Sequence, residues 1–363
     1  VVLLENVPRL LNSPSKHRGL NFAVILEDLL GMGYDVEWRV INASNYGMPQ
    51  QRRRVFIIAY RRPNKTNYYR NGKGSFGPKK RTRNQMIRWM TGNLPKGGNE
   101  DWPESPFSSS FNITGDFPVK KSVLPSVTDF SWSDKSGPFK NTGYAWKDNQ
   151  KVAKKWMWTF KSSPTYNKKY TTLRDIILDE HDPEYEINDI EKLRMYEYIK
   201  GEQKEWRIRK TDRDVAVSIK DDNQKNDLWG LYQQCTKSYD TEKWANSRKN
   251  PLYKKGVNKG IIYDYTAGAM AYPDSLDKAS RTVVTSEIGK SVSRMRHIIM
   301  YEKDKFRSLM PIELERLNGF PDNWTDFAGI SDAKRGFLMG NALVIDIIKG
   351  LAEPLASLIR REQ

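Results

Sequence analysis

A mixed α/β sheet domain, interrupted by a long middle, is the fold class this sequence predicts, on three observations. The chain opens on a continuous aliphatic run, Val1-Val2-Leu3-Leu4, that ends in a carboxylate, Glu5. A helical repeat of apolar residues from Phe22 to Leu30 then gives way to strict alternation at Tyr34, Val36, Trp38 and Val40. Near the other end Val344, Ile345, Ile348, Leu351, Ala352 and Leu355 recur at spacings of three and four, so a terminal helix is expected to pack back on the first sheet.

Taken in order, Val1 to Leu4 reads as a parallel strand covered on both faces, with its last residues at the carboxyl edge of the sheet, where open α/β folds place ligands. Asn21 is the expected cap of a helix carrying Phe22, Ile25, Leu26, Leu29 and Leu30, and Gly31 and Gly33 end it. The alternating run from Tyr34, a loop rich in Asn, Ser and Gly from Asn42 to Pro49, and a second strand from Val55 to Tyr60 predict an antiparallel edge hairpin. Residues 1–62 therefore read as the latter half of a sheet domain. Residues 63–170 carry basic runs such as Lys79-Lys80-Arg81, frequent Pro, Gly and Ser, and Trp without periodicity; they read as an insertion to which no fold is assigned. Residues 171–318 read as a second domain, with helical spacing over Thr172–Leu178 and a strand-like Gly260-Ile261-Ile262-Tyr263. Residues 319–363 return to the first domain through a helix capped by Ser331 and the terminal helix.

At 363 residues and 42.2 kDa the chain can form two or three domains. Mean hydropathy is −0.74, and no apolar stretch approaches the roughly 20 residues that span a bilayer. No charged and then apolar leader opens the sequence, so an intracellular setting is expected. The single cysteine, Cys235, fits a reducing compartment, and three histidines without a Cys/His cluster argue against a zinc site. A net charge of +17, with 11 Trp, 18 Tyr and 13 Phe, points to a polyanion partner rather than to a merely basic surface.

Four motifs stand in a fixed order around the middle: Glu5-Asn6-Val7, Gly47-Met48-Pro49-Gln50-Gln51-Arg52-Arg53-Arg54, Arg316-Leu317-Asn318-Gly319-Phe320-Pro321-Asp322, and Gly340-Asn341-Ala342. In an extended segment Gln50, Arg52 and Arg54 share one face and Arg53 the other. Taken singly, Glu5 and Asn6 read equally as a strand-to-loop cap, and an Arg triplet as a phosphate clamp. Together with Gly33-Tyr34 and Asn42-Ala43 the set resembles the DNA cytosine-5 methyltransferase family. That family's Pro-Cys nucleophile loop and Gly-rich cofactor loop lie before the Glu-Asn-Val strand. The chain is accordingly expected to be a C-terminal portion: the second half of an S-adenosylmethionine-dependent, Rossmann-like sheet domain plus a separate mixed, β-rich target-recognition domain. A polypeptide or chain segment carrying the N-terminal half would have to complete it, and the chain alone would be inactive.

The resemblance implies methyl transfer from S-adenosylmethionine to C5 of a flipped cytosine in double-stranded DNA. Cytosine C5 is a poor nucleophile, so a thiolate adds at C6 while an acid proton at N3 drains charge from the ring. Glu5 is expected to supply that acid, its pKa raised by burial at the strand end. The resemblance places Arg54 near O2, has Arg52 buttress Glu5, and puts Asn341 and Ala342 against the cofactor. Ala279-Ser280-Arg281-Thr282-Val283-Val284-Thr285-Ser286 resembles the segment with which family members grip phosphates, so Gln50, Arg281, Thr282, Ser286, Lys290 and Arg294 are the expected DNA contacts, with Arg296 beside them. Cys235 lacks a preceding Pro and is not read as the nucleophile. A prokaryotic or phage protein on the nucleoid, in a restriction-modification setting, is the expected context; a non-catalytic DNA-binding subunit of the same fold is the alternative.

Overall fold

The computed structural model describes residues 1–61, 83–91, 105–128, 130, 137–148, 154–197, 204–208, 262–266, 271–289, 293 and 295–362. Its strands are β1 (Val2–Asn6), β2 (Tyr34–Asn42), β3 (Arg53–Arg61), β4 (Ile113–Gly115), β5 (Ser122–Val123), β6 (Thr142–Lys147), β7 (Lys155–Phe160), β8 (Ser162–Pro164), β9 (Lys204–Ile208), β10 (Ile262–Thr266), β11 (Ile298–Glu302) and β12 (Lys305–Ser308). The helices are α1 (Leu20–Gly31), α2 (Arg83–Thr91), α3 (Pro106–Ser110), α4 (Ile190–Glu197), α5 (Pro311–Leu317), α6 (Asp332–Asn341) and α7 (Ile345–Glu362).

Six strands form one sheet in the order β1-β3-β2-β6-β7-β5, every neighbouring pair antiparallel. Alternation along β3 shows why its apolar run is unbroken. Val55, Ile57 and Ala59 enter a core with Phe22, Leu26 and Leu30 of α1, while Phe56, Ile58 and Tyr60 enter a second core with Ile347, Leu351 and Leu355 of α7. Both faces are buried, so both sets of alternate residues are apolar. Helices α2 and α3 join the α7 side through Met86, Trp89, Met90 and Phe107.

A buried ion pair fastens that layer. Arg39 of β2 donates to Phe111 O at 2.7 Å, Met90 O at 2.5 Å and Glu37 Oε1 at 3.3 Å, and Ser105 Oγ donates to Glu37 Oε2 at 2.6 Å. Both charged side chains are fully buried, and burial pulls the arginine below its ordinary pKa against the opposing field of Glu37.

Four expectations are corrected here. Strand β1 pairs antiparallel with β3 rather than parallel, and among the described residues it stands at the edge of the sheet, with Leu3 36% and Leu4 38% exposed. The β2–β3 hairpin is not at the edge, since β1 and β6 flank it. Helix α1 starts at Leu20 after Gly19, whose φ of 98° suits glycine, and the Asn21 amide instead donates to Ser13 Oγ. Thr172–Leu178 is a turn rather than a helix, because the N–H groups of Leu173 and Arg174 go to the carbonyls of Lys278 and Leu276. The stretch left unassigned, 63–170, contributes β5, β6 and β7 to the main sheet.

A third core collects Leu173, Ile176, Val283, Ile299, Leu309, Leu314, Leu317 and Met339 around α5 and α6. Helix α5 begins at Pro311 without a side-chain cap from Met310; the Glu313 carboxylate accepts the Met310 N–H at 2.8 Å instead. Ser331 caps α6 through the Lys334 N–H. Among the described residues no helix is long and apolar enough to cross a membrane, and no His/Cys/Asp/Glu group has metal-ligand spacing.

Candidate active site

The end of β1, the start of β3 and the turn after α6 meet through segment 279–287. Glu5 sits opposite Phe56 in the β1–β3 register, which sets its side chain beside Arg54, with Oε1 2.8 Å from Arg54 Nε. The contact is an ion pair without hydrogen-bond alignment, so Glu5 Oε1 is a buried acceptor with no aligned donor. Asn6 Oδ1 accepts the Val7 N–H at 2.8 Å and fixes the turn that follows.

Arg52, 3% exposed, donates to Val283 O at 3.2 Å and Gly340 O at 3.0 Å, leaving Nε as a buried donor without a partner. Burial first, and then the charge on Arg54, lower its pKa to about 10, with Glu5 opposing; the guanidinium is still charged at neutral pH. The expected division of labour is therefore corrected. Arg54, not Arg52, meets Glu5, since Arg54 lies in β3 alongside β1 whereas Arg52 precedes the strand, where the chain passes beneath segment 279–283. Arg53 is exposed.

Gln50 is also corrected as a DNA contact. It is fully buried, its amide donating to Leu317 O at 3.2 Å and Asn318 Oδ1 at 3.1 Å while its carbonyl accepts the Val283 N–H at 3.0 Å. Both of its amide protons and one lone pair of its carbonyl are used inside. Arg281 donates in a fork to Asp274 at 2.6 and 2.9 Å, and the Thr282 hydroxyl donates to Gln51 O at 2.5 Å. Thr285 and Ser286 are exposed. Arg296 donates to the Tyr196 hydroxyl at 3.2 Å. Lys290, Arg294 and Cys235 lie outside the described residues.

Asn341, at the end of α6, is exposed, and its Nδ2 donates to Phe337 O at 3.1 Å; Ala342 follows as the helix cap, half-buried against the third core. The preceding glycine is required by a close approach: a Cβ on Gly340 would stand 2.3 Å from Thr285 N and 2.4 Å from Val284 C. Both are backbone atoms that cannot swing aside. Gly340→Ala should force segment 284–285 off the helix and cost about 1–3 kcal/mol, read as a lowered thermal midpoint. An unchanged midpoint would mean that the two segments do not pack as described.

Sequence reasoning missed Asn318, which accepts from Gln50 and donates to Leu314 O and Met339 O, each at 3.2 Å. A polar residue amid apolar neighbours, in a motif already singled out, was the available signal. It also missed Glu287 and His297, both buried, for which no local pattern exists.

With this geometry in view, the comparisons identify the class. The chain belongs to the C-5 cytosine-specific DNA methylase family, whose sequence profile matches residues 1–357. The methyl donor of that family is S-adenosylmethionine. The type II methyltransferase M.Sau3AI of Staphylococcus aureus is 31% identical over 347 residues, 96% of this chain and 65% of that protein. This chain thus spans just under two thirds of that relative's length. M.MthTI of Methanothermobacter thermautotrophicus is 42% identical over 59 residues, 16% of this chain and 17% of that one. The solved structure of the Entamoeba histolytica methyltransferase EhMeth aligns over 97% of this chain and 61% of that chain, with a TM-score of 0.38 and 13% identity. The expectation that the chain is a C-terminal portion of a family member is overturned: the profile covers residues 1–357 and the M.Sau3AI alignment 96% of this chain.

Proposed function

We propose that this chain provides the carboxylate and guanidinium groups of a DNA methyltransferase that modifies C5 of a flipped cytosine within a specific duplex sequence. The observation that carries the reading is the Glu5 carboxylate, whose Oε1 is ion-paired to the Arg54 guanidinium at 2.8 Å without an aligned hydrogen bond, together with the buried Arg52 Nε, a donor without a hydrogen-bond partner. Buried polar atoms are rarely left unpaired, and an acceptor and a donor together suit the edge of a nucleobase. Glu5 would hold cytosine N3 and the exocyclic amine, and Arg54 would orient the Glu5 carboxyl. Arg52 would hold the strand to the cofactor-facing turn. The target must leave the helix because C6 is inaccessible within the stack.

S-adenosylmethionine supplies the electrophilic methyl group when bound. Asn341 fits such a ligand, since it is exposed and only its amide nitrogen is engaged, and Ala342 follows it on the same turn. Cys235 follows Gln234 and not a proline, and the attacking thiolate is not assigned to it. Ser286, Lys290 and Arg294 are assigned to phosphates, joined by the exposed Thr285. A prokaryotic restriction-modification setting is extended to this chain from the type II relatives.

The test is tritium transfer from S-adenosylmethionine to duplex DNA by the whole methyltransferase, with bisulfite sequencing to locate the product. Arg54→Ala should lower single-turnover methylation about a hundredfold. Arg53→Ala, on the exposed face, should stay within a factor of a few. Equal losses would mean that the triplet clamps phosphates, and the assignment would fall.

A further inference from the structure

One set of buried polar groups that this mechanism leaves unused converges on segment 279–287. Ser280, Glu287 and His297 are 3%, 1% and 0% exposed. His297 Nδ1 lies 2.6 Å from Glu287 Oε1, and its Nε2 lies 2.9 Å from Ser280 Oγ. Glu287 Oε1 also accepts the His297 main-chain N–H at 2.5 Å, and Oε2 accepts that of Val284 at 3.4 Å. Carboxylate, imidazole and hydroxyl in this order are the parts of an activated serine. No substrate can reach this one, however: Ser280 is enclosed, its N–H donates to Pro49 O, and its carbonyl accepts the Gln51 N–H, both at 2.7 Å.

We propose that His297, fixed by Glu287, is a positioning residue for Arg52 and Arg54, acting through Ser280; the proposal rests on the methyltransferase reading above. Ser280 and Gln50 form a parallel bridge, and the Gln51 amide donates to Ala279 O at 3.2 Å. Three residues on, Val283 receives the Arg52 guanidinium. The placement of Ser280 therefore sets where the arginine strand begins. Its short side chain is held from the far side by His297 and by the carbonyl of Arg281. Glu287 holds the ring through Nδ1, and on its other side His297 Nε2 and Arg281 O, each 2.9 Å from Ser280 Oγ, hold the hydroxyl between them. Segment 279–287 also presses on Gly340 and exposes Thr285 and Ser286, so the same register joins the outer hydroxyls to the catalytic strand.

The experiment compares His297→Phe, which keeps a ring but no polar atom, with His297→Gln, which can still bond both neighbours, and with Ser280→Ala. Hydrogen exchange is followed over residues 49–54 and over α1, and steady-state methylation is measured on the full methyltransferase. In His297→Phe, exchange at 49–54 should rise about tenfold or more while α1 is unchanged. The kcat should fall by up to about a hundredfold with KM for DNA within a factor of two, as expected when catalytic groups are misplaced. His297→Gln should restore most of both, and Ser280→Ala should reproduce the Phe variant in milder form. Unchanged exchange at 49–54, or a rise spread equally over α1, overturns the proposal. A wild-type enzyme that transfers no methyl group overturns the methyltransferase reading instead, and the exchange measurement still decides whether His297 holds the arginine strand.

Discussion

Replacing Glu5 by Gln should lower methyl transfer by about two to four orders of magnitude, the usual contribution of a positioned general acid, while leaving DNA affinity nearly unchanged. Gln keeps the volume and one carbonyl but can neither donate a carboxyl proton to N3 nor pair as an anion with Arg54, 2.8 Å away in this structure. Loss of the ion pair alone would not produce so large an effect, because both side chains are partly solvated, at 26% and 18% exposure, and such pairs contribute about 1 kcal/mol or less. Single-turnover rates at saturating DNA, beside a binding isotherm, separate chemistry from capture. A rate within a factor of a few of wild type would reduce Glu5 to a cap on the end of β1.

The largest loss of stability is expected from Glu313→Ala. Arg307 and Glu313 are both fully buried and face each other as a fork at 2.7 and 2.8 Å, and the same carboxylate accepts the N–H groups of Leu178 and Met310. Truncation strands a guanidinium in an apolar interior, a change that typically costs about 3–5 kcal/mol. Denaturant unfolding should show it as a lowered midpoint, and Arg307→Met in the same chain should recover much of the loss, since the stranded charge is then gone. A loss below about 1 kcal/mol would mean that water reaches the pair. Because α5 also carries Leu317 and leads into Asn318, to which the Gln50 amide is tied, loosening it should reach the catalytic strand as well.

Periodicity made the β2–β3 hairpin, α1 and the terminal helix legible, because each presents apolar residues at its own repeat to a core. It failed for β6 and β7. Both faces of that part of the sheet are covered, with Tyr144 and Trp158 in one core and Ala145 and Met157 in the other, so no polar residues alternate with the apolar ones. The motif residues of the site were legible as types in order, but not their pairings. Which arginine meets Glu5 depends on the register of β1 against β3, a long-range property that no local pattern encodes. Gln50, in a run of arginines, reads as surface; only the fold shows that it crosses to Asn318. His297 and Glu287 meet through a loop, and neither carries a sequence signal.

The way the sheet ends at β1 has a practical side. Among the described residues one side of this strand has no partner, its register with β3 contains no bulge, and it carries no lysine or proline. Sheets that stay dispersed usually blunt such an edge with one of those devices. The aliphatic residues Val1, Leu3, Leu4 and Val7 are exposed along it. Wherever this edge stays unpaired, strand-to-strand adhesion is the hazard, and it grows with concentration and with heating, while the high positive charge of the chain opposes it only as long as the ionic strength is low. Salt, which weakens the hold on nucleic acid, would then also remove the repulsion between copies that meet at an unpaired edge.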